Sequence, residues 1–299
     1  MVPDSHTVSV VIPTLGRESL QRCLEALKKQ TRPPNEVIVV RDEQRRGVSW
    51  GRNEGVRRSR GDLVAFTDDD CVPPPEWIEQ LVQAMDRFNA TVAGGLFVEA
   101  DPFLQEIRAR RYRRTNWQAP EDVQLDTRGI AGSGGSIMYR RSALETWLQS
   151  DGYIFNEAFR MSQDWELASR LRARGATFAA IPALVVHARA MGPGEYLRQQ
   201  FGRGRAIAKL YRSQRAGRLM IPQESLLWSG SGSGRNARWG AAVWAKLIGP
   251  WDRSSFSSWS KFWLFWLGEK IQSAGFLWSQ LRREPLDHAA PASAGKPPA

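Results

Sequence analysis

Apolar residues in the first hundred positions of this chain come in short blocks of two alternating kinds. Residues 8–12, 36–40, 62–67 and 91–98 are runs rich in Val, Ile, Leu and Phe, each of the length of one strand. Between them the period becomes that of a helix. Leu20, Cys23, Leu24 and Leu27 recur within 18–30, and shorter amphipathic stretches cover 50–58 and 75–88, the latter with proline in its first turn. Strands that are apolar throughout are buried on both faces, so the alternation predicts a parallel sheet covered by helices on both sides. Ligands of such sheets gather at the carboxyl ends of the strands. That edge receives Asp42, just past the second run, and Asp68, Asp69 and Asp70, at the end of the third.

Past residue 100 the pattern is less regular. Residues 101–128 predict no regular element and carry a basic run at 108–114, readable as a solvated face or as a contact with phosphate or membrane. Residues 132–145 predict a glycine-rich turn feeding a strand and a helix. Asp164 falls near the start of an amphipathic helix bearing Leu167 and Leu171, a further strand ends at His187, and 195–215 read as a basic helix. From Ser225 to Arg283 the character changes: eight of the thirteen tryptophans lie there, interleaved with Lys and Arg. Broad apolar surface with basic flanks suits helices lying on a membrane surface, and packing against the rest of the fold is the other reading. The Gly/Ser run 229–234 predicts a flexible loop and 285–299 a disordered tail. The expected division is thus 1–100, 101–224, 225–284 and 285–299.

The net charge of +11 adds an anionic partner to this picture: a phosphorylated substrate, an acidic membrane surface or nucleic acid. No nucleic-acid recognition motif accompanies the charge, so nucleic acid is not expected. Cys23 and Cys71 sit in unlike contexts and predict neither a disulfide nor a zinc site, which fits a reducing cytoplasm. The first residues lack a basic region followed by a long apolar core, so no signal peptide is expected. No stretch reaches the roughly 20 apolar residues needed to span a bilayer.

The chemistry concentrates in AFTDDDCVPPPEW, residues 65–77. Three adjacent carboxylates repel one another and resist desolvation, so they add no stability by themselves. A divalent cation offsets the repulsion and prefers hard oxygen ligands. Three readings follow: a metal site gripping a nucleotide diphosphate, a phosphatase of the haloacid-dehalogenase type with Asp68 as nucleophile and Asp70 as acid/base, or an acidic strand end that caps the next helix. The phosphatase motif usually sits on the first strand of its domain, whereas two strand–helix units precede it here. Neither a G-x-G-x-x-G after the first strand nor a Walker loop is present.

Taken in order, VSVVIPTLGRESLQRCLEAL, EVIVVRDE, GVSWGRNEGVRRSRGDLVAFTDDDCVPPPEWI and QDWELASRLRARG resemble glycosyltransferase family 2 over about residues 8–210. The resemblance implies an α/β GT-A fold, a Rossmann-like nucleotide-binding sheet with an adjoining acceptor subdomain, followed here by C-terminal amphipathic helices. It implies inverting, metal-dependent transfer of a sugar from a nucleotide-sugar, usually a UDP-sugar, to a hydroxyl acceptor in glycolipid, polysaccharide or other glycoconjugate synthesis. By position, Pro13 and Thr14 match the turn along the base and Asp42 the carboxylate bonded to it. Arg52 and Asn53 match the pair that precedes the metal motif. Asp68, Asp69 and Asp70 match the D-x-D stretch that meets the ribose and holds Mn²⁺ or Mg²⁺, with His187 either a further metal ligand or a satisfied structural histidine. Asp164 matches the general base. Gly134, Gly135 and Ser136 match the donor-sugar and acceptor loop, while Arg203 and Arg205 either clamp the diphosphate or sit on a solvated helix face. Gln163 stands where the family usually has Glu, and no R-W follows Gln199 and Gln200, which points to single-sugar transfer rather than polymerisation. The acceptor is expected to be lipid-linked or soluble, and the enzyme cytoplasmic and peripheral on the inner face of the membrane. A nonenzymatic nucleotide-sugar or anionic-lipid binder is the alternative from another class.

Overall fold

At the centre of the computed structural model, which describes residues 6–115, 117–127, 131, 134–215, 254–283 and 286, runs β1 (Val8–Thr14), buried at every position. It pairs in parallel with β2 (Glu36–Arg41) and β3 (Leu63–Phe66). Because both faces are covered, alternate residues feed separate cores. Val8, Val10, Ile12, Leu63 and Ala65 join the core under α1 (Ser19–Lys28) and α3 (Trp77–Arg87), while Val11, Val64 and Phe66 join the one under α2 (Val48–Arg58). α2 lies very close on β1. A Cβ at Gly55 would fall 2.1 Å from Val11 Cγ1 and one at Gly51 2.9 Å from Pro13 Cβ, so two glycines four apart set the depth of the helix. Arg52 and Asn53 are buried as a result.

The remaining strands are β4 (Cys71–Val72), β5 (Val92–Gly94), β6 (Phe97–Glu99), β7 (Gln124–Leu125), β8 (Ile137–Arg140), β9 (Phe178–Ala180) and β10 (Val185–His187). The sheet is mixed rather than parallel. Its order is β2-β1-β3-β8-β5-β9-β7, with β8 antiparallel to both β3 and β5 and β7 antiparallel to β9. Strands from beyond residue 100 therefore pair directly with those before it. The run 91–98 is not one strand either. It breaks after Gly94, and Phe97–Glu99 joins a second sheet of order β4-β10-β6. A Cβ on Gly95 would lie 2.9 Å from both Ala183 O and Ile181 Cγ1, so the chain changes sheets where no side chain fits.

Residues 101–115, read as irregular, contain α4 (Pro102–Thr115). Asp101 supplies the start: its Oδ1 accepts the Phe103 and Leu104 amides at 2.9 and 3.0 Å, with Pro102 opening the helix. α5 (Arg141–Asp151), α6 (Gln163–Ala173), α7 (Pro193–Arg215) and α8 (Trp259–Arg282) complete the described helices. α7 and α8 cross at glycines: a Cβ at Gly204 would sit 1.9 Å from Gln272 O, and one at Gly275 2.2 Å from Phe201 O. The buried side of α8 is small and polar (Gly268, Gln272, Ser273, Gly275, Ser279) apart from Phe262 and Phe276, and its exposed side is apolar, with Trp263, Leu267, Leu277, Trp278 and Leu281. Among the described residues no helix is long and apolar enough to cross a membrane. The Gly/Ser run 229–234 and the tail 285–299, except residue 286, lie outside the described residues.

Candidate active site

Parallel pairing brings the carboxyl ends of β1, β2 and β3 side by side, and a cavity of about 650 Å³ opens over them. Pro13, Thr14, Asp42, Asp68, Asp69 and Asp70 all line it. Thr14 Oγ1 donates to Asp69 Oδ2 at 2.5 Å, and Arg17 Nη1 reaches Asp69 Oδ1 and Asp70 Oδ2, both at 3.1 Å. Burial raises the Asp69 pKa, and the Thr14 bond and the Arg17 charge only partly offset it. Asp42 accepts the backbone amides of Arg46 and Gly47, at 2.9 and 2.6 Å, and so shapes the loop after β2. Arg52 is 1% exposed; its Nη2 donates to Asp68 Oδ1 at 2.8 Å, while its buried Nε and Nη1 have no partner among the described residues.

The small sheet sets the other side. Its register aligns Cys71, His187 and Glu99 across β4, β10 and β6, which places His187 between two carboxylates: Nε2 lies 3.3 Å from Asp70 Oδ1 and Nδ1 2.6 Å from Glu99 Oε2. Burial disfavours the imidazolium, but these two partners outweigh it and hold the His187 pKa up at about 9. The same contacts, with Arg17, keep Asp70 low against its own burial. Among the described residues, the group of potential metal donors within 4.8 Å of one another is Asp68, Asp70 and Cys71. Burial, reinforced by the two aspartates, pushes the Cys71 thiol well up, so the hard donors there are the carboxylates.

Asp164 stands in the first turn of α6 and also lines the cavity. Its Oδ2 accepts the Gly134 amide at 3.0 Å. The Gly134–Gly135 step joins this carboxylate to the metal-type cluster. A Cβ on Gly134 would fall within 2.6 Å of the Arg52 guanidinium, and one on Gly135 3.0 Å from Asp68 Oδ2. Other residues from the sequence reading have their hydrogen bonds elsewhere. Asn53 pins Phe155, accepting its N–H and donating to its carbonyl at 2.9 Å each, and it does not line the cavity. Ser136 is buried and accepts from Trp77 Nε1 at 3.0 Å. Arg203 lines the cavity; Arg205, two residues on, is exposed and does not.

Comparison with known proteins fits this geometry. Residues 37–148, which hold Asp42, Arg52 and the three aspartates, match the family described as glycosyl transferase family 2. Over that stretch the chain is similar to glycosyltransferase family 2. The mixed α/β sheet, with acidic residues at the strand ends, agrees with the GT-A fold expected from the sequence. The chain is 29% identical over 144 residues to glycosyltransferase AglE of Haloferax volcanii, covering 39% of this chain and 47% of that one. It is 31% identical over 121 residues to a glucosyl-dolichyl phosphate glucuronosyltransferase of the same organism, covering 31% and 39%. It thus spans less than half the length of these two relatives. A crystal structure of S. aureus TarS 1-349 superposes with a TM-score of 0.45 at 14% identity, over 93% of this chain and 92% of that one.

Several residues of the candidate site escape a reading of the sequence. Arg17 lies in the loop after β1, where nothing in the sequence marks its arginine for a role. Glu99 meets His187 only through strand register. Arg108 and Arg111, in the basic run, turn into the cavity from α4, as do Trp117 and Trp165 from their own segments. The three-residue spacing of the two arginines was the available signal, but without a helix it had no face to mark.

Proposed function

We propose that this chain is an inverting glycosyltransferase that moves a single sugar from a nucleotide-sugar, a UDP-sugar being the first to test, to a hydroxyl acceptor. One observation carries the reading: the Gly134–Gly135 step touches Asp164 on one side and the Arg52–Asp68 pair on the other. A base and a diphosphate-binding cluster, far apart in sequence, thereby face one cavity. Asp68 and Asp70 offer the hard oxygens that Mg²⁺ or Mn²⁺ takes, and the unpartnered Nε and Nη1 of Arg52 suit an anionic neighbour, so the residues fit a cation and its diphosphate. Such an ion neutralises charge on the leaving diphosphate. His187 could join its ligands only after losing a proton to bulk.

The chain's own residues supply the rest. Pro13, Thr14 and Asp42 receive the nucleotide, and Asp69 fixes Thr14 and Arg17. The acceptor oxygen attacks the anomeric carbon from the face opposite the diphosphate. The new C–O bond forms as the bond to the phosphate oxygen breaks, the electron pair leaves with the diphosphate, and Asp164 takes the acceptor's proton. The Gly134 amide holds the Asp164 carboxylate for that step. A phosphatase is disfavoured, because Asp68 follows the third strand of the sheet rather than the first. The binder alternative leaves Asp164 without a task.

Attachment to the inner, cytoplasmic face of the membrane belongs to the same proposal. The exposed apolar side of α8 supports it, as do Lys270 and Arg282, which lie 4.8 and 4.7 Å over the Trp266 and Trp278 rings. A relative named for a dolichyl phosphate substrate supports a lipid-linked acceptor. Calorimetry with UDP tests the core of the reading. Wild type should bind UDP with Mn²⁺ present and weakly without it, and Asp70→Ala should lose the metal-dependent part. Equal affinity with and without metal overturns the proposal.

A further inference from the structure

Among the described residues nine arginines line the cavity, and three of them, Arg108, Arg111 and Arg203, come from α4 and α7. Arg203 of α7 has no hydrogen bond or ion pair among the described residues, although it is half-buried. Arg111 of α4 lies over the rings of Trp165 and Trp117, at 5.3 and 5.7 Å, and these rings stack on each other at 5.8 Å. Trp165 follows Asp164 directly, so Arg111 is held beside the proposed base. The third member, Arg108, is already neutralised by Glu99. Burial and the charges of Arg203 and Arg108 hold the Arg111 pKa down to about 10, and burial and Arg108 lower that of Arg203 as well. Arg203, half-desolvated and crowded by two further arginines, costs stability unless an anion joins it.

The same helices reach the outside. α8 contributes Gln272 to the cavity on one side and carries its exposed apolar stripe on the other. α4 is tied to it by Lys261–Glu106 at 2.7 Å and by Arg110 over the Phe265 ring at 5.5 Å. Gly204, next to Arg203, packs directly on Gln272 O, so Arg203 stands beside the helix that bears the apolar stripe.

We infer that Arg111 and Arg203 form a phosphate subsite for the acceptor, and that the acceptor is an amphiphile carrying a phosphate between its hydrocarbon chain and the hydroxyl that reaches Asp164. This rests on the glycosyltransferase reading. The donor's own diphosphate is the other source of the same chemistry, and the test separates the two. Binding of farnesyl phosphate, farnesol and UDP with Mn²⁺ is measured by calorimetry in neutral detergent micelles for wild type, Arg203→Gln and Arg203→Lys, after matched thermal melts. Wild type should prefer farnesyl phosphate over farnesol by about tenfold or more, the worth of a charge-assisted contact. Arg203→Gln should erase that preference, Arg203→Lys should keep most of it, and both should hold UDP affinity within about twofold. A wild type that does not discriminate farnesyl phosphate from farnesol overturns the subsite. So does an Arg203→Gln protein that loses UDP and keeps farnesyl phosphate, which would give the cluster to the donor. Failure of the glycosyltransferase reading itself shows in the wild-type UDP arm alone, which the farnesyl phosphate arm does not enter.

Discussion

Single side chains divide by whether their chemistry or their neighbours define them. Asp42, the three aspartates and Asp164 are legible in the sequence because few other residue types do their work, and all of them line the cavity. Asn53 and Ser136 are polar residues in the right segments, yet Phe155 and Trp77 use up their hydrogen bonds, and neither partner is near in sequence. Glu99 and Arg17 are the converse, invisible until strand register and loop geometry bring them to His187 and Asp70. The sharpest test at this scale is Asp164→Asn. It keeps the size of the side chain and an acceptor for the Gly134 amide but removes the proton acceptor. Turnover should fall by about 10²–10⁴, the usual worth of a positioned base, with UDP affinity unchanged. Near-normal transfer would make another residue the base.

At the level of elements, helix α6 shows how the base is held still. Arg170 pairs with Asp151 at 2.6 Å and Glu166 at 3.1 Å, all three being largely removed from solvent, and it also donates to Ile154 O at 2.5 Å. Burial raises the Glu166 pKa despite the arginine, so removing Arg170 leaves a buried carboxylate with little to offset its desolvation. Arg170→Ala should cost about 3–5 kcal/mol, as expected when one member of a buried ion pair is removed. Chemical denaturation reads that loss directly, and a change below about 1 kcal/mol would mean that water replaces the guanidinium. Elements with a clean period were legible, among them β1, α1 and α3. α4 was not, because its basic run hid a helix whose start depends on Asp101 and Pro102. Nor was the break in 91–98, since what forbids one strand there is Ala183 and Ile181, from a distant part of the chain.

Over the whole molecule, the sequence pattern gives the α/β class and the ligand edge but not the mixed sheet. The antiparallel β8 enters between β3 and β5 from the second half of the fold, and no local pattern encodes a partner so distant. For the tryptophan-rich end the sequence offers a membrane-surface helix or one packed on the fold; α8 contributes Gln272 to the cavity and covers Tyr196 at Gly268. Its membrane role is therefore better tested on the outer stripe than by truncation. Trp263→Glu combined with Leu281→Glu should abolish co-sedimentation with anionic vesicles and leave melting temperature and UDP affinity as they were. Wild-type binding should weaken as salt rises, since each basic residue near such a surface contributes on the order of 1 kcal/mol that salt screens. A wild type that ignores anionic vesicles at low salt would make the stripe a surface for something other than lipid.

The glycine crossing of α7 and α8 also inverts the usual tolerance map of a surface helix. On most such helices the inward positions demand bulk and the outward ones accept polarity. Here Gly204 and Gly275 meet opposing backbone where even a methyl group has no room, so saturation mutagenesis should find inward positions intolerant of alanine. The outward positions, 263, 267, 277 and 281, should exchange freely among large apolar residues. A drifting lineage of this chain would then keep its small residues and shuffle its tryptophans, the reverse of what a hydrophobic core imposes.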